Sequence, residues 1–249
     1  MIHTLAIVAT LCLCATPALA QDPTAEEILA KIDGNMTFES RTSKTKMTVV
    51  NPRRTREFIM ISFGRGEDHS AIEYTSPARD KGNKMLRKAD EVWTYFPSVE
   101  RTQKISGHML RKGISGSDVS YEDMMSASDL RSAYKGKVIG KEEIEGRPAW
   151  KLELVATDDA VTYPKRTSWV DVATHIPVKQ ELYALSGMLI KTWEMKEIKE
   201  FEGGRHFPTK MIVSDKLQDG TYTTLEFLEM TFGVELEDEV FTLRWLERK

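Results

Sequence analysis

The chain has 249 residues, with 35 Lys and Arg against 38 Asp and Glu for a formal charge of −3, 41% hydrophobic residues and two cysteines. That balance excludes a nucleic-acid binder that neutralises many phosphates, and the apolar content excludes a disordered chain. Both cysteines, Cys12 and Cys14, fall in one apolar run near the start, so no thiol elsewhere is available for disulfides or metal sites.

That run, Leu5 to Ala15, carries no Asp, Glu, Lys or Arg and is too short to span a bilayer. Pro17 and Ala18-Leu19-Ala20 follow it, before the polar Gln21-Asp22. Residues 1–20 therefore read as a secretory signal peptide, and residues 21–249 as a single exported domain. The next element is a helix: Thr24 with Glu27 makes a capping box, Ala25, Ile28, Leu29, Ile32 and Met36 fall at helical spacing, and Gly34-Asn35 supplies a stop.

From about Ser43 the period changes to two. It predicts strands near 43–50, 54–64, 69–75, 82–88, 91–96, 99–105, 135–144, 147–156, 166–172, 177–184, 188–199, 207–217, 221–232 and 239–245. Glu145-Gly146, Ser186-Gly187 and Asp219-Gly220 are tight-turn dipeptides, and no gap between later strands has room for a crossover helix. The expectation is a mainly β fold, an antiparallel meander curved into a sheet or barrel. One interruption, Gly113 to Ala133, begins rich in glycine. It then offers a helix start at Ser120 with Asp123, and a short apolar face of Tyr121, Met124, Met125 and Leu130.

Some strands are apolar on both faces. Phe58 to Phe63 includes Phe58 and Met60, and in Val92 to Phe96 the rings of Trp93 and Tyr95 share a face opposite Val92 and Phe96. Such strands need cover on two sides. Either they leave a concave surface for an apolar ligand, or the core fills itself; the pattern alone leaves both open. Catalytic patterns are missing: His69, His108, His175 and His206 lie far apart, and neither a phosphate-binding loop nor a dinucleotide fingerprint occurs. A non-enzymatic protein without cofactor or metal is expected. Residues 79–112 hold nine basic residues against four acidic ones, and Arg87, Lys88, Arg101 and Lys104 among them are candidates for docking an anionic surface or acidic partner; a solvated strand face explains them equally well. Residues 226–239 carry six acids and no base.

The segments Val92-Trp93-Thr94-Tyr95-Phe96-Pro97, Ile105-Ser106-Gly107 and Gly116-Ser117-Asp118-Val119-Ser120-Tyr121-Glu122-Asp123 resemble, in order, a core pattern of the LolA-like outer-membrane lipoprotein-sorting family. Trp169-Val170-Asp171, Ile176-Pro177-Val178-Lys179, Phe207-Pro208-Thr209-Lys210 and Phe241 to Leu246 extend the resemblance along nearly the whole exported chain. The resemblance implies a periplasmic, monomeric protein with an incomplete antiparallel β-barrel (half-barrel), a helical lid and a hydrophobic cavity that shelters the acyl chains of lipid or lipoprotein cargo on the way to an outer-membrane acceptor. In that setting Phe58, Met60, Trp93, Tyr95, Met124, Met125 and Leu130 become candidate lining residues. Gly113, Gly116, Ser117 and Asp118 become a lid hinge, with Tyr121, Glu122 and Asp123 fixing the lid's helix start. The branch resembles variants associated with inner-membrane exporters of the resistance-nodulation-division type, so an accessory protein docking on such an exporter is the alternative.

Overall fold

The computed structural model describes residues 22–126 and 130–248; the signal-peptide reading of residues 1–20 lies outside them. Helix α1 (Ala25–Met36) opens the fold. Thr24 accepts a hydrogen bond from the Glu27 amide while the Glu27 carboxylate accepts from the Thr24 amide at 2.7 Å, so two otherwise unpaired N–H groups are satisfied reciprocally. Ile28, Leu29 and Ile32 bury one stripe, each contributing about 1.5–3 kcal/mol of apolar burial.

Thirteen strands follow: β1 (Ser40–Asn51), β2 (Arg54–Arg65), β3 (His69–Ser76), β4 (Lys84–Lys88), β5 (Glu91–Phe96), β6 (Arg101–Ile105), β7 (Tyr134–Ile144), β8 (Arg147–Ala156), β9 (Lys165–Asp171), β10 (Pro177–Tyr183), β11 (Leu189–Phe201), β12 (Arg205–Asp215) and β13 (Tyr222–Phe232). All pair antiparallel in one sheet, in the order β6-β5-β4-β3-β2-β1-β13-β12-β11-β10-β9-β8-β7. The sheet is open, an incomplete barrel whose two edges are β6 and β7. Every neighbour pair except β1 with β13 is joined by a local connection, which is why alternation and turn signals alone suffice to trace it.

The two edges follow one another in sequence, so the chain between them must cross the opening. Residues 106–126 and 130–133 belong to that strap: a 3₁₀ turn over Gly107–Arg111, a second over Ile114–Gly116, helix α2 (Tyr121–Met125) and helix α3 (Leu130–Ala133). Helix α1 packs on the concave face beside β7 to β9, with Leu130, Tyr134, Trp150, Leu152 and Leu154. Gly136 permits this approach, because a Cβ there would lie 3.0 Å from both Ala25 Cβ and Leu154 Cδ2.

The expected strand at 239–245 is not one. The segment forms a 3₁₀ turn (Asp238–Phe241) and helix α4 (Leu243–Glu247), with the Thr242 side chain accepting from the Trp245 amide. Both sides of β13 are already paired, by β1 and β12. The apolar residues Phe241 and Leu246 are instead buried on the convex face against Ala71, Leu86 and Tyr95. Lys84 fixes this helix by donating to the carbonyls of Trp245 at 3.2 Å and Arg248 at 2.7 Å, where a cation also suits the helix dipole.

Candidate functional site

Between the concave face and the strap lies a cavity of about 310 Å³, at the small end of the range for ligand pockets. Its walls are predominantly apolar: Met47, Met60 and Ile72 from β1 to β3, Leu182 from β10, Phe207 and Phe227 from β12 and β13, and Ile114, Val119 and Met124 from the strap. Alternation puts these strand residues on one face, since Met47 sits opposite Phe58 and Leu225 in register while its sequence neighbours face outward. Methionines at Met47, Met60, Met85, Met124, Met195 and Met211 make the wall soft and able to repack.

The strap is pinned to both halves of the sheet. Tyr74 of β3 bonds to Ser115 Oγ at 2.9 Å, and Arg56 of β2 donates to the Ser115 and Gly116 carbonyls at 2.8 and 3.3 Å. Asp118 accepts from Thr221 at 2.8 Å and from Thr223 of β13 at 2.6 Å, while its own amide donates back to Thr223 Oγ1 at 2.9 Å. Asp123 caps α2 through the Ser120 amide at 2.7 Å, accepts from Tyr163 at 2.8 Å, and pairs with Lys191 of β11. Both partners of that ion pair are nearly inaccessible, with side-chain exposures of 2% for Asp123 and 7% for Lys191. Beside it Arg166 donates to the Tyr134 hydroxyl at 2.6 Å. Burial, together with the neighbouring Asp123 carboxylate, pushes the Tyr163 phenol far up; burial pushes Tyr74 up to about 12. Among the described residues no group of three or more His, Cys, Asp or Glu could hold a metal ion, and no helix is long and apolar enough to cross a membrane.

A family model described as an uncharacterised protein family matches residues 66–248, well over half of the chain. The fold matches a DUF1329 family protein from Desulfovibrio piger with a TM-score of 0.82 at 22% identity, covering 89% of this chain and 97% of that one. An outer membrane lipoprotein-sorting protein domain from Vibrio parahaemolyticus matches with a TM-score of 0.78 at 24% identity, over 90% and 97%. A LolA superfamily protein from Nitrosomonas europaea matches with a TM-score of 0.73 at 27% identity, over 90% and 100%. The chain belongs to the LolA-like family. No curated protein matches it in sequence.

In this LolA-like protein the residues singled out from sequence separate. Met60, Met124 and Leu130 line the cavity, as does Asp123. Phe58 is buried on the same face one layer back, edge-on to Tyr74 at 5.7 Å between ring centroids. Met125 and Tyr121 pack on Met85, Val92 and Ile105. Trp93 and Tyr95 do share a face, but it is the convex one, covered by α4, and they do not line the cavity. Gly113 and Gly116 make fixed bends: a Cβ on Gly113 would fall 1.8 Å from the Ser117 carbonyl oxygen, and Gly116 has a φ of +69°. Ser117 bonds within its own turn to Val119, and Glu122 approaches Arg111 at 3.7 Å.

The four basic candidates do not form one patch. Arg87 turns inward and lines the cavity, Lys88 next to it is exposed on the other side, Lys104 is engaged by Glu91 and lies over Trp93 at 5.5 Å, and Arg101 stands at the opposite end of the β5–β6 hairpin. Sequence reasoning passed over Arg41, which lines the cavity. A signal for it existed: Arg41, Ser43, Thr45, Met47 and Val49 share a parity, whereas Lys44 and Lys46 have the other. It also passed over Tyr163, in the β8–β9 loop, and Lys191 of β11, because contacts between an internal strap and segments that come later in sequence leave no local trace.

Proposed function

We propose that this protein is a non-enzymatic periplasmic carrier that takes the acyl chains of a lipid or lipoprotein into the cavity beneath the strap and conveys them toward the outer membrane. The observation that carries this reading is the apolar cavity itself, walled by the concave sheet on one side and by Ile114, Val119, Met124 and Leu130 of the strap and its helices on the other. Exposing an acyl chain to water costs about 0.8 kcal/mol per methylene, so a sixteen-carbon chain needs about 12 kcal/mol of burial in transit. A soft wall and a strap held by a handful of polar bonds suit a carrier that must also release. Accessory docking on an exporter has less support, because Arg87 faces the cavity and Lys104 is engaged by Glu91. Native mass spectrometry of the purified protein after incubation with a bacterial lipid extract tests the carrier reading: bound acyl species are expected, and a spectrum of the bare chain alone at every lipid concentration would reject it.

A further inference from the structure

Arg41 differs from the other arginines that reach the interior. Arg56 donates to two strap carbonyls, Arg205 to the carbonyls of Gly34, Asn35 and Thr37 at the end of α1, and Arg166 to Tyr134. Among the described residues, no hydrogen bond and no ion pair engages the Arg41 guanidinium. It lies between aromatic rings, 4.4 Å from the centroid of Phe38 and 5.6 Å from that of Phe207. Burial pushes its pKa down to about 10, and among the described residues no carboxylate acts in the other direction.

The position is built rather than accidental. Register places Arg41 beside Gly64, Gly64 beside Ser70 and Ser70 beside Arg87, one row across β1 to β4 on the concave face. A Cβ on Gly64 would come within 2.9 Å of Phe38 Cε2, so glycine there lets the Phe38 ring lie over the guanidinium. Arg87, at the far end of the row, donates to the Ala89 carbonyl at 3.0 Å and feels the carboxylates of Asp68, Asp90 and Glu67. Among the described residues Arg41 is therefore the cation of the row that has no compensating partner. The strap closes the other end of the cavity, at the starts of β2 and β13, while Arg41 stands where β1 begins and β2 ends. Arg41 and Arg87 thus line that end of the cavity together with Glu67, whose carboxylate accepts from the Thr37 hydroxyl at 2.7 Å, and the apolar wall runs from there toward the strap.

We propose that Arg41 seats the acidic headgroup of an anionic amphiphile whose acyl chain runs from that end along the concave wall toward the strap. This rests on the carrier reading and narrows its cargo. A half-buried guanidinium that lines the cavity and has no hydrogen-bond or ion-pair partner among the described residues favours a carboxylate or phosphate, which accepts charge-assisted bonds and supplies a counter-charge. A neutral glyceride would offer ester carbonyls only. Free fatty acid and anionic phospholipid share the required chemistry.

The test is calorimetric titration of the purified protein with three sixteen-carbon ligands: hexadecanoate, dihexadecanoyl phosphatidylglycerol and uncharged 1-hexadecanol. The wild type is expected to bind at least one anion about tenfold or more tighter than the alcohol, the loss of a charged hydrogen bond being of that size. A preference for hexadecanoate assigns the headgroup to a fatty acid, and a preference for phosphatidylglycerol assigns it to a phospholipid. Arg41→Gln should erase the preference without weakening 1-hexadecanol, and Arg41→Lys should keep part of it. Equal affinity for all three ligands in the wild type, a ranking that needs no variant, overturns the proposal while leaving the carrier reading intact; so does a preference that survives in Arg41→Gln. Failure of all three to bind rejects the carrier reading, and this inference with it.

Discussion

The two ends of the cavity treat polar groups in opposite ways. Where the strap closes it, Asp118 has two threonine donors and Asp123 has an amide, a phenol and an ammonium. At the other end a guanidinium lies on phenylalanine rings with no such partner among the described residues. Satisfied buried networks rigidify a structure, and an unsatisfied cation destabilises it until a ligand completes it. The contrast separates the end of the cavity whose polar groups satisfy one another from the end at which a bound headgroup is proposed.

Breaking the satisfied end should have the largest effect. Asp123→Asn leaves Lys191 as a buried charge without its partner and is expected to lower unfolding stability by about 3–5 kcal/mol in a urea titration. Loss below about 1 kcal/mol would mean that the strap is not held by this pair. Thr223→Val removes the donor to, and the acceptor from, Asp118; about 1–3 kcal/mol is expected, accompanied by faster amide exchange over residues 114–119.

Alkaline pH probes the same end. The Tyr74 phenol is raised to about 12 by burial, so the folded protein keeps that proton where the unfolded chain loses it. The contribution is whole below about pH 10, the ordinary tyrosine value, and is lost as pH rises from there toward about pH 12. Tyr163 and Tyr134 are shifted in the same direction. Urea midpoints should therefore fall between about pH 10 and about pH 11, and Tyr74→Phe should make that fall shallower; an unchanged slope would exclude Tyr74 from it. The smallest expected effect has the opposite sign. Arg41→Met should stabilise the empty protein by about 1 kcal/mol, a rise in Tm of roughly 2–4 °C, since it replaces a half-buried charge that has no ion-pair partner among the described residues with an apolar side chain. A fall in Tm would place Arg41 with the structural arginines instead.

Much of the architecture was legible from alternation. The strands from β1 to β13 fall within a few residues of where period-two runs and turn dipeptides put them, because each pairs with a sequence neighbour and its pattern is set locally. The segment 239–245 misled for a physical reason: Phe241 and Leu246 carry apolar surface that fits either a strand or a short capped helix, and only the occupied flanks of β13 decide between them. Trp93 and Tyr95 illustrate a second limit. Their shared face is readable from parity, but which face of a sheet is concave depends on the sign of its curvature, and α4, which covers them, arrives 150 residues later in the chain. The strap's capping residues were legible as a helix start. Their partners Thr223, Tyr163 and Lys191 were not, since nothing in a strand's own pattern marks one threonine or lysine as facing a particular aspartate.

The pairing of β1 with β13 also bears on how the chain assembles. The first and last strands lie side by side in the middle of the sheet, and the two edge strands come from near the chain's midpoint. Neither half can settle its neighbour until the final strand is available, and contacts of such long sequence separation fold slowly. A ribosome or translocon delivering this protein from its N-terminus therefore presents β1 to β6 as a meander with an unsatisfied flank on β1, open to pairing with another chain until the last twenty-odd residues emerge.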